Sequence, residues 1–118
     1  MKLIYIAGSY TAKDPYVVKM NIMKADLLAM DVELLGLEAF PICPHTNTAH
    51  HEGTRPGTYF IAGTLELSRR CDALLVVPGS QNSAGTKGEI RDATRRGVPV
   101  FYNIKELGEW LTNSATEE

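Results

Sequence analysis

A serine and a glutamate six positions apart, Ser83 and Glu89, are the residues of this chain whose types and spacing best fit chemistry. They follow an apolar run, 73–77, that is typical of a buried parallel strand. A helix is expected to start near Ser83, where a hydroxyl, free backbone N–H groups and the helix dipole together form a site for an anion. Gly85 shares a helix face with Glu89 and leaves room for a ligand before the carboxylate. This arrangement suggests chemistry on a phosphorylated sugar.

Strands and helices alternate along the whole chain. Strands are predicted at 3–7, 39–43, 73–77 and about 97–101, and helices at 15–35, 59–70, 84–96 and 104–112. This order predicts an α/β fold, a single-domain doubly wound parallel sheet of about four to five strands in a three-layer sandwich, flavodoxin-like or Rossmann-like. Ligands of such folds bind beyond the carboxyl ends of the strands. The loops 8–10, 44–57 and 79–85 are therefore expected to meet at one edge.

Composition sets the class of protein. The 118 residues suit one compact domain, predicted at 1–112, with a disordered tail at 113–118. A formal net charge of -2 gives no basic surface for nucleic acid, and no apolar run approaches the ~20 residues of a membrane span. Cys43 and Cys71 have no metal-ligand spacing and are expected to be reduced, buried thiols. We therefore expect a cytoplasmic protein without a nucleic-acid or membrane partner.

Three ordered blocks carry a resemblance to a known family. They are 5–9 at the end of the first strand, 65–79 leading through the third strand, and 83–100. Together they resemble the nucleoside 2-deoxyribosyltransferase superfamily. Within it the chain is most similar to the small bacterial and phage branch of transferase-like proteins and to the deoxynucleoside 5′-monophosphate N-glycosidases. The likeness covers nearly the whole chain.

The resemblance implies an enzyme and a set of roles. The glutamate matching Glu89 is the family's nucleophile, which attacks the anomeric carbon, releases the base and forms a glycosyl-enzyme intermediate that passes to water or another base. Tyr5 matches a tyrosine near the sugar or the nucleophile, and Gly8 and Ser9 match the first phosphate-contacting loop. Members that use free nucleosides have an aspartate where this chain has Ser83. The resemblance therefore implies cleavage of a nucleoside 5′-monophosphate, with deoxynucleotides expected, no cofactor and a homodimer or higher oligomer.

One position departs from the family pattern. Thr64 stands where the family carries an aspartate that assists at the sugar or the leaving base. Nearby Glu66 lies two residues on and is expected to face another side of its helix. The loop that follows the second strand contains His45 and Asn47, which are candidate proton donors. Its histidines have no metal-ligand spacing, so no metal site is predicted.

Plainer interpretations stay open for the same residues. Glu89 lies between Lys87 and Arg91 and could be a solvated helix residue, Ser83 a simple helix cap and Tyr5 a core residue. For the whole chain, the alternative is a non-catalytic nucleotide-binding or sensor domain of the same fold, which Thr64 favours. A flavodoxin-like mononucleotide carrier is less well supported, because the loop after the first strand has too few hydroxyls.

Other polar and aromatic residues have structural expectations. Asp72 is expected to cap its helix or to pair with Arg69 or Arg70. Asp92 is expected to form surface pairs with Arg95 and Arg96. The aromatic residues proposed for an oligomer interface are Tyr59, Phe60 and Trp110.

Overall fold

The computed structural model describes residues 1–117 as a four-stranded parallel sheet between two layers of helices. The strands are β1 Lys2–Ala7, β2 Ala39–Ile42, β3 Ala73–Val76 and β4 Val100–Phe101. The helices are α1 Pro15–Leu34, α2 Pro44–Asn47, α3 Gly57–Arg69, α4 Ala84–Arg95 and α5 Ile104–Glu117. The sheet order is β2-β1-β3-β4, so β2 is added on one side of β1, and β3 and β4 are added on the other. The predicted α/β fold is confirmed.

The two central strands are apolar on both faces because helices cover both. Every residue of β3 is buried, and alternate residues of β1 point to opposite layers. Ile4 and Ile6 pack in the core beneath α1 and α5, whereas Tyr5 packs with residues of α3 and α4. The register places Tyr5 beside Leu74 of β3. Tyr5 is therefore in the middle of the sheet and on the α4 side.

Local signals mark the start of α1 and the ends of α1 and α4. The Asp14 carboxylate caps α1 by accepting from the backbone N–H of Tyr16 at 2.9 Å, and Pro15 is the first helical residue. Gly36 and Gly97 follow α1 and α4 with φ of 68° and 74°. Glycine adopts this left-handed conformation at little cost, so each helix ends there.

Three expectations are corrected by the structure. The loop after β2 begins with a short helix, α2, because Pro44 is preset for a first helical position. Helix α5 continues through Glu117, so the predicted tail is helical at 113–117, a segment without proline or glycine; Glu118 lies outside the described residues. Trp110 is half-buried, with its ring 5.4 Å from that of Phe101. It therefore belongs to the core and not to a free surface.

Helix α1 is the longest helix, with 20 residues. No helix within residues 1–117 is both long and apolar enough to cross a membrane.

Candidate active site

A cleft of about 1040 Å³ opens at the carboxyl ends of the strands, where the three predicted loops meet. It is large enough for a nucleotide-sized ligand. Seven of the eight site residues predicted from sequence line it: Tyr5, Gly8, Ser9, His45, Ser83, Gly85 and Glu89. The eighth, Asn47, is exposed at the end of α2 and does not line the cleft.

The floor of the cleft is a carboxyl–phenol pair. The hydroxyl of Tyr5 donates a hydrogen bond to Oε2 of Glu89. Tyr5 is 1% exposed, because it sits in the central strand and points toward α4. Glu89 lies in the second turn of α4 and is only partly buried, so one side of its carboxylate faces the cleft. A fixed phenol thus orients a carboxylate that a ligand can reach.

Burial sets the protonation of this pair. It raises the pKa of Glu89 to about 7, against the opposing effect of the hydrogen bond from Tyr5. The pKa of Tyr5 is also raised, by burial first and then by the Glu89 charge, with the hydroxyl of Thr64 acting in the opposite direction. Near neutral pH, Glu89 therefore exchanges between carboxylate and acid while Tyr5 stays a donor.

The start of α4 forms one wall of the cleft. Ser83 is the N-cap: its Oγ accepts from the backbone N–H of Thr86 at 3.3 Å and donates to the hydroxyl of Thr86 at 2.6 Å. Apart from the adjacent residues and the backbone of α4 itself, no described atom lies within 4 Å of the place where a β-carbon on Gly85 would sit. The first N–H groups of a helix have no partner within it. The open backbone around Gly85 therefore offers donors to an anion in front of Glu89.

The loop after β1 forms the opposite wall and is held against β3. The backbone N–H of Ser9 donates to Oγ of the buried Ser80 at 3.1 Å. A β-carbon on Gly8 would lie 2.6 Å from Cγ2 of Val77, closer than such atoms can approach. Only glycine permits this contact, so the loop depends on Gly8 for its position.

His45 fixes the same loop from the α2 side. It is 4% exposed, and its Nε2 lies 3.1 Å from the carbonyl oxygen of Gly8 and 3.0 Å from that of Ser9. Since both partners are acceptors, Nε2 carries the proton and donates it. Burial lowers the pKa of His45, so the ring is neutral at physiological pH. Among the described contacts, neither His45 nor Asn47 hydrogen-bonds to the Tyr5–Glu89 pair, and His45 holds the loop.

Thr64 lines the cleft at the position where the resemblance led us to expect an acid. Its hydroxyl donates to the carbonyl of Ile61 at 3.1 Å and lies beside Tyr5. Glu66 points elsewhere: it is exposed and forms an ion pair with Arg70 at 3.8 Å. This wall of the cleft therefore has a hydroxyl in place of a carboxyl group.

Sequence reasoning missed a second pair at the cleft rim. The hydroxyl of Tyr10 donates to Oε1 of Glu52, and that hydrogen bond lowers the pKa of Glu52. Beside them, the guanidinium of Arg55 lies 4.1 Å from the ring centroid of Tyr59. Both paired residues lie in loops that the topology directs to this edge. Their separation of 42 residues gave no local signal of pairing.

Two further aspartates have structural partners, of which only the pair of Asp92 with Arg96 was expected. Oδ2 of Asp72 accepts a hydrogen bond from the backbone N–H of Leu3 at 2.7 Å. Asp72 therefore links the start of β3 to β1, and the expected pair with an arginine is not among the described ion pairs. Asp92 forms ion pairs with Arg69 at 3.0 Å and with Arg96 at 3.5 Å, whereas the expected pair with Arg95 does not form. Within residues 1–117, no group of three or more His, Cys, Asp or Glu side chains is placed to hold a metal ion.

Comparison with known proteins identifies the fold. No protein-family model matches the chain, and no curated protein matches it in sequence. A solved structure, described as a 2-deoxyribosyltransferase from the psychrotolerant bacterium Bacillus psychrosaccharolyticus, matches with a TM-score of 0.57 and 18% identity. The match covers 83% of this chain and 69% of that one. This chain shares the fold of that 2-deoxyribosyltransferase.

Proposed function

We propose that the protein cleaves the N-glycosidic bond of a nucleoside 5′-monophosphate, with deoxynucleotides preferred. The reaction proceeds through a glycosyl-enzyme intermediate on Glu89 and transfers the sugar to water or to another base. The observation that carries the proposal is the Glu89 carboxylate, oriented by Tyr5 at the floor of a cleft whose wall is the start of α4. The shared fold with a 2-deoxyribosyltransferase supports the same class of chemistry.

The proposed reaction has two displacements at one carbon. An Oε of ionised Glu89 attacks C1′ of the sugar, and the C1′–N bond breaks with its electron pair leaving on the base. Water or a second base then attacks C1′, and Glu89 leaves as a carboxylate. Two inversions give net retention at C1′. Because the attacking form is the carboxylate, the pKa of about 7 at Glu89 sets the lower pH limit of the reaction.

The departing base also needs a proton. Two other carboxyl groups line the cleft, on Glu52 and Asp92, and hydrogen bonds from Tyr10 and from Arg69 lower the pKa of each. Both groups are therefore ionised at neutral pH, and Thr64 is too weak an acid to replace them. In this proposal the proton comes from water in the open cleft.

A phosphate group fits the wall made by α4. The N–H groups around Gly85 and the positive end of the helix dipole favour an anion there. The hydroxyls of Ser83 and Ser9 donate to Thr86 and Ser80 in the free protein and become neutral donors to a phosphate when they rotate toward it. A carboxylate in place of Ser83 would repel a phosphate dianion. These features favour a nucleotide over a free nucleoside.

The test is base release from a panel of ribo- and deoxyribonucleoside 5′-monophosphates and the matching nucleosides, followed by chromatography. The wild type is compared with Glu89→Ala and with Glu66→Ala, which removes an exposed glutamate outside the cleft. We expect release from deoxynucleotides that Glu89→Ala abolishes and Glu66→Ala preserves. A Glu89→Ala protein as active as the wild type would exclude the mechanism.

A second candidate is a non-catalytic nucleotide sensor with the same cleft. The observation that favours it is Thr64, which leaves the wall beside Tyr5 without a carboxylic acid. Calorimetric binding of a nucleotide by folded protein, with no base released over hours, would support the sensor and reject the glycosidase.

A further inference from the structure

Helix α1 is apolar on the side that faces away from the core. Among residues 1–117, six of the twelve exposed large apolar side chains belong to α1: Tyr16, Val17, Met23, Leu27, Met30 and Leu34. Its other side is buried against the sheet through Ala25, Leu28, Ala29 and Val32. A helix with apolar residues on two opposite sides is normally covered on both of them. The single chain covers one side only, and exposed apolar patches of this kind mark contact surfaces.

The outer residues have the spacing of a coiled-coil seam. Five of them, all except Val17, form a line with the half-buried Met20, in alternating steps of four and three residues: Tyr16, Met20, Met23, Leu27, Met30 and Leu34. This is the a and d pattern of heptad repeats, in which two helices interlock at a crossing angle near 20°. We infer that this α1 seam packs antiparallel against the α1 seam of a second copy of the chain.

An antiparallel register satisfies the whole seam at once. A two-fold axis that crosses the seam at the level of Ala25 along the helix pairs Tyr16 with Leu34 of the second copy. The same axis pairs Met20 with Met30 and Met23 with Leu27, each across the two copies. Every seam residue then meets another seam residue, as a self-complementary two-fold interface requires.

The charges that flank the seam favour this direction. Lys19 and Lys24 flank its first half, whereas Asp26, Asp31 and Glu33 flank its second half. An antiparallel pair places Lys19 beside Glu33 of the second copy, twice over. A parallel pair would instead place Lys19 beside Lys24 and Asp26 beside Asp31, both repulsive. In the antiparallel pair, only Lys24 and Asp26 meet a like charge, because each lies next to the axis and faces the same residue of the second copy.

The size of the seam sets the expected strength of the contact. A 20-residue helix is about 30 Å long and about 10 Å wide with its side chains, which places the contact below standard stable interfaces and among weak, reversible ones. We therefore expect a dissociation constant of about 1 to 50 µM. A lipid surface is a poorer occupant, because helices that lie on membranes carry mainly basic flanks and this one carries both signs. The α1 layer lies across the sheet from α4, so the cleft stays open in the dimer.

Sedimentation velocity over about 1 to 100 µM tests the association. We compare the wild type with Leu27→Lys, which places two charges in the seam of each dimer, and with Tyr102→Lys as the control. Leu27 and Tyr102 are both exposed, at 59% and 47%, so neither change disturbs the core, and circular dichroism verifies folding. We expect Leu27→Lys to weaken association at least about tenfold and Tyr102→Lys to leave it unchanged.

Cysteine cross-linking tests the direction, in a Cys43→Ser background that removes the partly exposed native thiol. Met20→Cys combined with Met30→Cys should form a covalent dimer on oxidation, whereas Met20→Cys alone should not. Dimers from Met20→Cys alone would indicate parallel helices and overturn the inference.

Two other results would also overturn it. One is a wild type that stays monomeric throughout the concentration range. The other is an association that Leu27→Lys and Tyr102→Lys weaken equally. If the wild type is monomeric and co-sediments with anionic vesicles, and Leu27→Lys abolishes that binding, the α1 seam would be assigned to a lipid surface instead.

Discussion

Helix α4 carries two carboxyl groups three residues apart, Glu89 and Asp92, and their surroundings give them opposite properties. Glu89 turns inward to the phenol of Tyr5, and burial raises its pKa to about 7. Asp92 turns toward Arg69 and Arg96, whose hydrogen bonds and charges lower its pKa. The same helix thus holds one group that titrates near neutral pH and one that is ionised throughout that range.

The difference teaches what each carboxylate can do. Asp92 joins α4 to α3 through Arg69, and Arg96 adds a 2.6 Å hydrogen bond to the carbonyl of Arg69. A carboxylate committed to two cations is a weak nucleophile and a poor acid. None of the ion pairs found within residues 1–117 involves Glu89. Glu89 is therefore available for chemistry because the fold gives it a phenol and no cation.

The largest expected effect is on turnover. Glu89→Gln preserves the shape of the side chain but removes the charge that attacks in the proposed mechanism, so we expect base release to fall by at least about 10³-fold. Asp92→Asn weakens the contact between α3 and α4 and changes a charge at the cleft lining, but it leaves Glu89 intact, so it should cost less than about tenfold. Steady-state assays on the best substrate of the panel measure both. Equal losses in the two variants would remove the distinction between the two carboxylates.

The next effect is on stability as a function of pH. The folded pKa of Glu89 is raised from 4.5 to about 7, so the unfolded chain releases this proton first as pH rises. Wild type should therefore lose stability relative to Glu89→Gln between pH 4.5 and pH 7, by about 3 kcal/mol in total. Urea unfolding of both proteins at pH values below, within and above this window measures the difference. A difference that stays constant with pH would show that Glu89 is not buried as described.

A smaller effect isolates the phenol. The hydroxyl of Tyr5 favours the ionised form of Glu89, so Tyr5→Phe should raise the pKa of Glu89 above 7. We expect the rising limb of the profile of kcat/KM against pH to move upward by about one unit. Thr64→Val, on the same wall, serves as a control because Thr64 contacts Tyr5 and not Glu89 in the described structure. If the rising limb of the pH profile stays in place in Tyr5→Phe, the phenol of Tyr5 does not affect the pKa of Glu89.

The smallest effect concerns the other carboxylate. The pKa of Asp92 is lowered, so its ion pairs stabilise the fold above its ordinary pKa and are lost as pH falls. Arg69→Gln should therefore raise the midpoint of acid unfolding, by less than about half a pH unit because the pair is partly solvated. Circular dichroism during acid titration measures it. A midpoint that falls in Arg69→Gln would reverse the sign assigned to Asp92.

The sequence predicted those features that depend on local signals. The alternation of apolar strands and helices indicated the α/β fold, and the Ser83 cap and the glycines that end α1 and α4 were visible because each acts within a few residues. The placement of Tyr5 near Glu89 came from the resemblance, since these residues are 84 positions apart.

The rest of the site depends on contacts that no local pattern specifies. The pair of Tyr10 and Glu52, and the ion pair of Arg69 and Asp92, join residues 42 and 23 positions apart. His45 was predicted as a proton donor because its residue type suits that task. In the structure, His45 instead hydrogen-bonds to the carbonyl oxygens of Gly8 and Ser9, and this contact depends on where α2 packs.

The most direct test of the role of Glu89 is intact-protein mass spectrometry of enzyme quenched with acid during turnover of a deoxynucleotide, followed by peptide mapping. Rapid acid quenching unfolds the enzyme and stops turnover, and immediate analysis in the cold limits loss of the ester. Our account predicts one added deoxyribose 5-phosphate unit on the peptide that contains Glu89, and no adduct in Glu89→Gln. Base release without any adduct on that peptide, and undiminished in Glu89→Gln, would contradict it.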